Sequence, residues 1–415
     1  MKRSHLCDYF AGIGVKRLST EDAEPRTSNQ HEIDTTHQMR QHFLGSGDNE
    51  RFKTTYIWLC EDQPSDVDEG WATHHDARMV QPDRSPGWRL CYPANRVTEV
   101  MREGDILFLA MTTQRTLYFI VSPDGSTSYR QLSWLFGVSA DASSPESASF
   151  VSREFKKDER RLDFAARIVL SALGIEFEGP CPNGFDRIAD SLGSKFPRTS
   201  VLAQLVRDNL PDVKVNHDMD GALVEWLDCE EALFRRLERR VVSERLHQHQ
   251  GFLSADGEAD VDSFLSFSLS IWNRRESRMG HALEHHLEAV FQAHNISYAR
   301  GFEAEHQHHP DFLFPDGEAY RAAPQSDGPS LMMVAAKSSC GARWRQVPPE
   351  ASKIRRKHLL TIEPGISEPL THQMRETGLQ LVVPRPIQDT YTTDQRKWLW
   401  TLADFVREVS KRAQL

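Results

Sequence analysis

The first 140 residues place short apolar runs between turn-forming residues. Runs of this kind occupy positions 56–59, 105–110 and 116–121, and the last one ends at the turn sequence Pro123-Asp124-Gly125. Apolar stretches of about four to eight residues that are bounded by turn signals are typical of β-strands. We therefore predict a β-rich N-terminal domain over residues 1–140.

The hydrophobic pattern changes after this region. Residues 141–155 begin with small polar side chains that show no periodicity, which is typical of a linker. Residues 160–173 and 221–248 then repeat apolar side chains at helical spacing. We expect helices in both places, and the pattern leaves open which neighbouring domain they pack on.

From residue 275 onward, helical and strand patterns alternate. The predicted order is a helix at 281–294, strands at 311–314 and 331–337, a helix at 350–360 and a strand at 380–383. This alternation predicts a mixed α/β sheet with helices on its faces. Residues 156–415 are therefore assigned to a helical segment followed by one α/β domain.

The composition is that of a soluble globular protein, with 39% hydrophobic and 27% charged residues. A length of 415 residues favours two or three packed units. No run approaches the roughly 18 apolar residues of a membrane-spanning helix, and the start lacks the apolar core of a secretion signal. Six scattered cysteines without a CxxC pair favour reduced thiols. We expect a cytoplasmic protein that does not engage a membrane.

A net charge of −10 taken at face value argues against a polyanionic partner such as DNA. Charge can nevertheless be confined to a cleft, and basic side chains cluster at 153–167, 235–245, 274–278 and 353–357. Each cluster would also suit a solvated helix face, so none of them establishes DNA binding.

Two carboxylates and a lysine form the strongest candidate for chemistry. Asp311 opens one predicted strand, and Lys337 ends the next, 26 positions later (337 − 311). Nucleases of the PD-(D/E)XK type hold Mg²⁺ with carboxylates and place a lysine near the attacking water. The usual second acid precedes the lysine by two positions, on the same strand face, but that residue is Ala335. Glu350, 13 positions after the lysine (350 − 337), is the candidate replacement.

Taken alone, this set is also compatible with a turn proline, a surface strand and an exposed acid. Longer segments strengthen it, because they resemble the EcoRII family of restriction endonucleases in order and spacing. The matching segments are NRRESRMG at 273–280, PDFLFP at 310–315, AKSSC at 336–340, RWRQ at 343–346, KHL at 357–359 and GLQLVVP at 378–384.

The resemblance implies a restriction-endonuclease-like fold in the C-terminal domain and a magnesium-dependent reaction on double-stranded DNA. In that family the second acid is displaced 13 positions beyond the lysine. Asp311 and Glu350 would accordingly be metal ligands, Lys337 the catalytic lysine and Glu284 a supporting acid on the preceding helix. The alternative for Glu284 is a plain acid on the helix surface.

A weaker similarity extends to Tyr9-Phe10 and to residues 15–19. It implies an N-terminal β pseudobarrel that binds a second copy of the target site and represses the nuclease until it does. The basic and aromatic residues that we expect to contact DNA, unless they are ordinary surface residues, are Lys16, Arg17, Arg84, Trp88 and Arg89 in this domain, and Arg275, Arg278, Arg343 and Arg345 in the nuclease domain.

Two departures from the family pattern affect specificity and geometry. Family members place a basic and then an acidic residue before the arginine that matches Arg343, and these read the outer C:G pair. Gly341 and Ala342 carry no group able to do so, although Arg343 can still contact a guanine with two hydrogen bonds. The target is therefore not expected to be simply CCWGG. The second departure, Pro348-Pro349, should delay the helix that we expect to present Glu350.

Other interpretations remain open from the sequence. His281 and His285 lie one helical turn apart and could bind zinc. A DNA-binding protein without catalysis, or a nuclease that requires mismatched or methylated DNA, would also fit. The favoured prediction is a type II restriction endonuclease that acts as a homodimer, because a palindromic site is most simply read by two-fold symmetry. A cognate DNA methyltransferase would be its functional counterpart.

Overall fold

The computed structural model describes residues 5–414 except 24–30, 46, 48, 61–64, 81–86, 140–149, 157–160, 177–184, 194, 249–250, 255, 305–308 and 325–329. The chain forms two compact units, residues 1–177 with 364–370 and residues 178–363 with 371–415. Within the described residues, no helix combines the length and the apolar content that crossing a membrane would require.

The first unit is built on one eight-stranded sheet with the order β2-β5-β4-β3-β7-β6-β1-β8. The apolar runs predicted as strands at 56–59, 105–110 and 116–121 fall largely in β3, β6 and β7 and are confirmed. The strands are β1 Phe10–Arg17, β2 Glu32–Thr35, β3 Asn49–Trp58, β4 Asp66–Asp76, β5 Trp88–Cys91, β6 Ile106–Thr112, β7 Thr116–Ser122 and β8 Val151–Glu154.

Short helices accompany this sheet. Their bounds are α1 Thr20–Ala23, α2 His37–Met39, α3 Ala77–Val80, α4 Arg96–Val100, α5 Thr127–Phe136 and α6 Phe164–Ala172. Local sequence sets the ends of α5: the hydroxyl of Ser126 accepts the backbone N–H of Tyr129, and Gly137 ends the helix with a φ of 64°. The buried side chain of Phe136 then packs edge-on against Phe10 of β1 at 5.3 Å between ring centroids.

The first unit extends further along the chain than the sequence indicated. Residues 151–154 fall inside the predicted linker 141–155 but form β8, which pairs antiparallel with β1. Helix α6, predicted within 160–173, packs Ala166, Val169 and Leu170 into the same core as Phe10. The composition of a segment does not reveal a strand whose partner lies about 140 positions away, so the predicted boundary at residue 140 was wrong.

The second unit is a mixed α/β structure, as predicted. Its sheet has the order β13-β12-β11-β10-β9, in which β9, β10 and β11 pair antiparallel and β11, β12 and β13 pair parallel. The strands are β9 Ala299–Arg300, β10 Phe312–Phe314, β11 Met332–Lys337, β12 Lys357–Thr361 and β13 Leu379–Val382.

Two long helices and several shorter ones complete the chain. They are α7 Phe185–Leu192, α8 Thr199–Asp208, α9 Met219–His247, α10 Val261–Ala293, α11 Gly317–Ala322, α12 Glu368–Glu376, α13 Thr393–Arg396 and α14 Leu402–Arg412. The C-terminal half of α10 packs on the sheet, where Phe291 meets Phe312 and Phe314 of β10 at 5.2 Å each between ring centroids. This buried aromatic cluster fixes β10, the strand that follows Asp311.

Candidate active site

Asp311 and Lys337 lie at the same end of two neighbouring strands. Asp311 immediately precedes β10, and Lys337 is the last residue of the antiparallel strand β11. The Lys337 Nζ donates a hydrogen bond to Asp311 Oδ2 at 2.9 Å, and the backbone N–H of Ala336 donates to the same oxygen at 2.8 Å. The aspartate is therefore held in one orientation from two directions.

Glu350 belongs to a turn between the segment that carries Arg343 and Arg345 and strand β12. A short 3-10 helix, Arg343–Gln346, ends just before it, and the backbone N–H of Glu350 donates to the carbonyl oxygen of Val347 at 3.0 Å. The predicted helix at 350–360 was wrong, because β12 already begins at Lys357. Pro348 and Pro349 cannot donate backbone hydrogen bonds, and Ala351 has a positive φ of 47°, so the chain turns instead of continuing a helix.

The Glu350 carboxyl is buried, and its pKa responds to the charges of Lys337 and Asp311. It belongs to a residue that is only 8% exposed, and this burial raises its pKa to about 7. Lys337 opposes that rise in pKa, whereas Asp311 adds to it. Among the residues that the structure describes, Glu350 Oε2 has no hydrogen-bond partner. A buried carboxylate oxygen in that state is costly unless a proton or a cation satisfies it.

This donor set fits a small divalent cation. Asp311 and Glu350 supply carboxylate oxygens, and Mg²⁺ binds through one or two carboxylates while it keeps several waters. One pair beyond Phe312 and Val334, the β10–β11 register places Ala335 opposite Asp311, and Ala335 is fully buried. Its methyl side chain offers no ligand to a cation. In the described part of the chain, no group of three or more His, Cys, Asp or Glu side chains is arranged to hold a metal ion. The fit therefore rests on the two carboxylates.

The short 3-10 helix after Lys337 presents two arginines. The side chains of Arg343 and Arg345 are exposed, while Trp344 between them is only 4% exposed and anchors the segment. The Arg345 guanidinium lies 5.3 Å from the centroid of the Trp344 ring. The neighbouring Gly341 and Ala342 present no polar side chain, as the sequence indicated.

Glu363 is a site residue that sequence reasoning missed. It follows β12, and its carboxylate accepts the backbone N–H of Cys340. The carbonyl oxygen of Cys340 in turn accepts the backbone N–H groups of Arg343 at 2.7 Å and Trp344 at 3.2 Å. Glu363 thus fixes the start of the segment that carries the arginines. No motif marked it, because the contact joins residues on two different strand ends.

Glu284 forms an ion pair with Arg300, and its role as a supporting acid stays a prediction. Its carboxylate lies on α10 and pairs with Arg300 of β9 at 2.9 Å, and Arg300 also pairs with Glu288 at 2.6 Å. The same guanidinium donates to Nδ1 of His285 at 3.1 Å, while Nε2 of His285 lies 3.4 Å from the hydroxyl of Thr199. Both ring nitrogens of His285 therefore have protein partners, which does not favour the zinc interpretation.

Arg275 and Arg278 connect the two long helices. The Nε of Arg275 donates to Glu238 of α9 at 2.7 Å. Arg278 is 3% exposed and pairs with Glu230 and Glu231 of α9, and its guanidinium lies 4.4 Å from the Phe234 ring centroid. The structure contradicts a phosphate contact at Arg278, because its charge is enclosed by protein. The DNA contact of Arg275, which is only partly buried, stays a prediction.

In the N-terminal unit, the structure contradicts the DNA contact predicted for Lys16. This side chain is 4% exposed and its amine forms a 2.7 Å ion pair with Asp22. Arg17 is more accessible and pairs with Asp124 at 2.8 Å. The buried Lys16 and the more accessible Arg17 could not be told apart by a strict alternation of buried and exposed side chains, because β1 does not alternate. Five consecutive residues, from Gly12 to Lys16, are buried.

Trp88 and Arg89 lie on β5, where both are half-buried. The Trp88 ring stacks on His74 at 5.2 Å between centroids and carries the Arg40 guanidinium at 3.6 Å. Arg89 pairs with Glu32 and Asp34 of the adjacent strand β2. Arg84 lies outside the described residues. The DNA contacts expected of Arg17, Trp88 and Arg89 stay predictions.

Comparison with known proteins defines the class to which the second half of the chain is similar. Residues 234–406 match the family model described as EcoRII C terminal. This segment contains Asp311, Lys337 and Glu350, and the chain is EcoRII-like over it.

The particular relative is the type II restriction enzyme EcoRII of Escherichia coli, which is 34% identical over 217 residues. The match covers 52% of this chain and 51% of the relative, so the chain spans about half the length of the curated relative it matches.

Two solved structures show lower similarity. Metal-depleted Ecl18kI in complex with uncleaved DNA is 17% identical with a TM-score of 0.42, and covers 56% of this chain and 85% of its own. The PspGI-substrate DNA complex is 13% identical with a TM-score of 0.40, and covers 52% of this chain and 93% of its own. Likenesses at this level carry no functional assignment.

Proposed function

We propose that this protein is a type II restriction endonuclease, a site-specific deoxyribonuclease that hydrolyses phosphodiester bonds of double-stranded DNA with Mg²⁺. The observation that carries the proposal is the group formed by Asp311, Lys337 and Glu350 inside the EcoRII-like segment. Two carboxylates beside an amine supply a cation site and a positive charge at one place, which phosphodiester hydrolysis needs.

Each residue has a defined task in this reaction. Asp311 and Glu350 would hold the magnesium ion, which supplies Lewis acidity at the phosphate and lowers the pKa of water when bound. The Lys337 amine, fixed 2.9 Å from Asp311, orients the attacking water and stabilises negative charge on the phosphate oxygens. Glu350 must be deprotonated to act as a ligand, and both the lysine and a bound cation favour that state.

Recognition of the target is assigned to the exposed arginines. Arg343 can donate two hydrogen bonds to the O6 and N7 acceptors of guanine, and Arg345 contacts DNA beside it. Gly341 and Ala342 offer no donor or acceptor to a base edge, so the outer base pair of the target is read differently or not at all. The target therefore differs from CCWGG.

We further infer an N-terminal effector domain and a two-fold symmetric dimer. The eight-stranded sheet of the first unit would be a β pseudobarrel that binds a second copy of the target and regulates cleavage. Because one active site cuts one strand, a homodimer would cut both strands of a palindromic site. The protein would act in the cytoplasm together with a methyltransferase that protects host DNA.

Digestion of a supercoiled plasmid tests the function. With Mg²⁺, we expect discrete fragments whose sequenced ends give one short target, and no cleavage in EDTA. Retarded but uncut DNA would replace the proposal with a DNA-binding protein that lacks catalysis. Cleavage confined to mismatched or methylated substrates would replace it with a repair or modification-dependent nuclease.

Glu363→Ala is expected to reduce discrimination between the target and a site with one altered base pair by roughly tenfold. The reason is that Cys340 loses the acceptor of its backbone N–H, and Cys340 positions Arg343. Glu363→Gln keeps an acceptor oxygen and should discriminate like the wild type. Rates on matched oligonucleotide duplexes measure the effect, with the exposed Glu376→Ala as the control. Unchanged discrimination in Glu363→Ala would remove Glu363 from recognition.

A further inference from the structure

Helices α9 and α10 extend beyond the core of their unit as an antiparallel pair. Their pairing is set near its base, where Arg275 bonds Glu238. Of the residues in these two helices, none after Glu238 on α9 and none before Arg278 on α10 is buried. We call residues 239–277 the helical arm.

One set of apolar contacts joins the two halves of the arm. Phe252, in the connection between the helices, packs against Phe264 at 5.3 Å and Phe267 at 5.6 Å between ring centroids. The guanidinium of Arg245 on α9 lies 4.7 Å from the centroid of the Phe252 ring. These contacts join the connection between the helices to both α9 and α10.

A second set of apolar side chains points away from the arm. Val261, Leu265, Leu269 and Trp272 follow one another at intervals of four, four and three residues, which places them on one helix face over about 16 Å. Their exposed fractions are 57%, 57%, 59% and 58%. Soluble monomers seldom expose a continuous apolar strip of this kind, and such strips mark interaction surfaces.

The charges of the arm are separated along its length. Residues 246–273 contain no Lys or Arg, and the acids of this part lie around its tip: Asp256, Glu258, Asp260 and Asp262. The base of the arm carries the exposed Arg239, Arg240 and Arg274 together with the acid Glu276. Arg240 pairs with Asp190, and Arg275 at the same level is already paired with Glu238. An acidic tip disfavours DNA and anionic lipid as the partner, since both repel it. A second arm in the opposite orientation would instead bring an acidic tip to each basic base.

We propose that the helical arm is the homodimer interface of this protein. Two copies pack their α10 faces antiparallel about a two-fold axis, so that each strip of Val261, Leu265, Leu269 and Trp272 covers the other. An interface of this type is self-complementary, because every contact occurs twice. The assignment gives a surface to the dimer of the proposed function, although the observations behind it are independent of DNA cleavage.

Molar mass in solution without DNA or metal tests the interface. By light scattering after size exclusion, we expect wild type at twice the 47.5 kDa of one chain. Leu265→Glu combined with Leu269→Glu should give the mass of one chain, with unchanged circular dichroism, because neither side chain is buried in the monomer. The matched control is Val67→Glu with Val201→Glu, at exposed apolar positions outside the arm, which should remain dimeric.

A milder variant guards against misfolding of the glutamate variant. Leu265→Ser with Leu269→Ser introduces a residue already frequent on this helix and should weaken dimerisation at least about tenfold by sedimentation. The proposal is overturned if wild type is monomeric, or if the dimer survives both double substitutions. If wild type is monomeric and binds anionic vesicles, the apolar strip is instead a lipid-binding surface. A dimeric wild type that never cuts DNA refutes only the proposed function.

Discussion

Lys337→Ala is expected to slow DNA cleavage roughly 10³-fold, because the variant lacks the amine that we propose orients the attacking water and stabilises charge on the phosphate. The Lys337 Nζ donates directly to Asp311 Oδ2, so the substitution acts at the centre of the group. DNA affinity should stay within about threefold of wild type, since the interaction is made chiefly in the transition state. Single-turnover cleavage and gel retardation in EDTA measure the two quantities.

The control for this variant is Lys397→Ala, which removes an amine that is 72% exposed and paired only with the nearby Asp394 at 2.6 Å in the described structure. Its cleavage rate should match wild type. Full activity of Lys337→Ala would exclude the lysine from the mechanism. Equal loss of binding and cleavage would show instead that the lysine acts in the ground-state complex.

Glu350→Gln is expected to abolish magnesium-dependent cleavage while it stabilises the metal-free fold at alkaline pH. In the folded protein, burial holds the pKa of Glu350 at about 7 instead of 4.5. The folded state therefore keeps a proton that the unfolded chain releases between these two values. This contribution to stability is complete below pH 4.5 and is lost as the pH rises through 7.

Glutamine cannot ionise, so the variant should be more stable than wild type by about 2 kcal/mol near pH 8, after allowance for partial contact of the carboxyl with solvent. Near pH 4.5 the two proteins should unfold alike. Urea unfolding in EDTA at both pH values measures this difference. Adding Mg²⁺ should stabilise wild type at pH 8 and not the variant, because a ligand stabilises the state that binds it. Stabilisation of both proteins to the same extent would place the ion elsewhere.

The sequence was sufficient for features that depend on local patterns. Short apolar runs bounded by turn residues predicted β3, β6 and β7. Such a run indicates a buried strand from local sequence alone, without knowledge of the strand it pairs with. The alternation after residue 275 predicted the mixed α/β unit. Asp311 and Lys337 could be predicted as site residues because each lies at the end of a strand that the sequence pattern predicts. Neighbouring antiparallel strands bring the start of one and the end of the other together.

Only the tertiary structure decided which distant side chains meet. The charges of Lys337 and Asp311 act on Glu350, which lies in a turn that Pro348 and Pro349 impose, whereas the sequence predicted a helix over 350–360. Glu363 holds the start of the segment that carries Arg343 and Arg345 through one backbone N–H, and no sequence pattern records such a contact. Arg278 lies in a basic cluster of the sequence, as a DNA contact would, but its side chain is enclosed by acids of another helix. Charge and periodicity describe single segments, while burial depends on the segment that packs opposite.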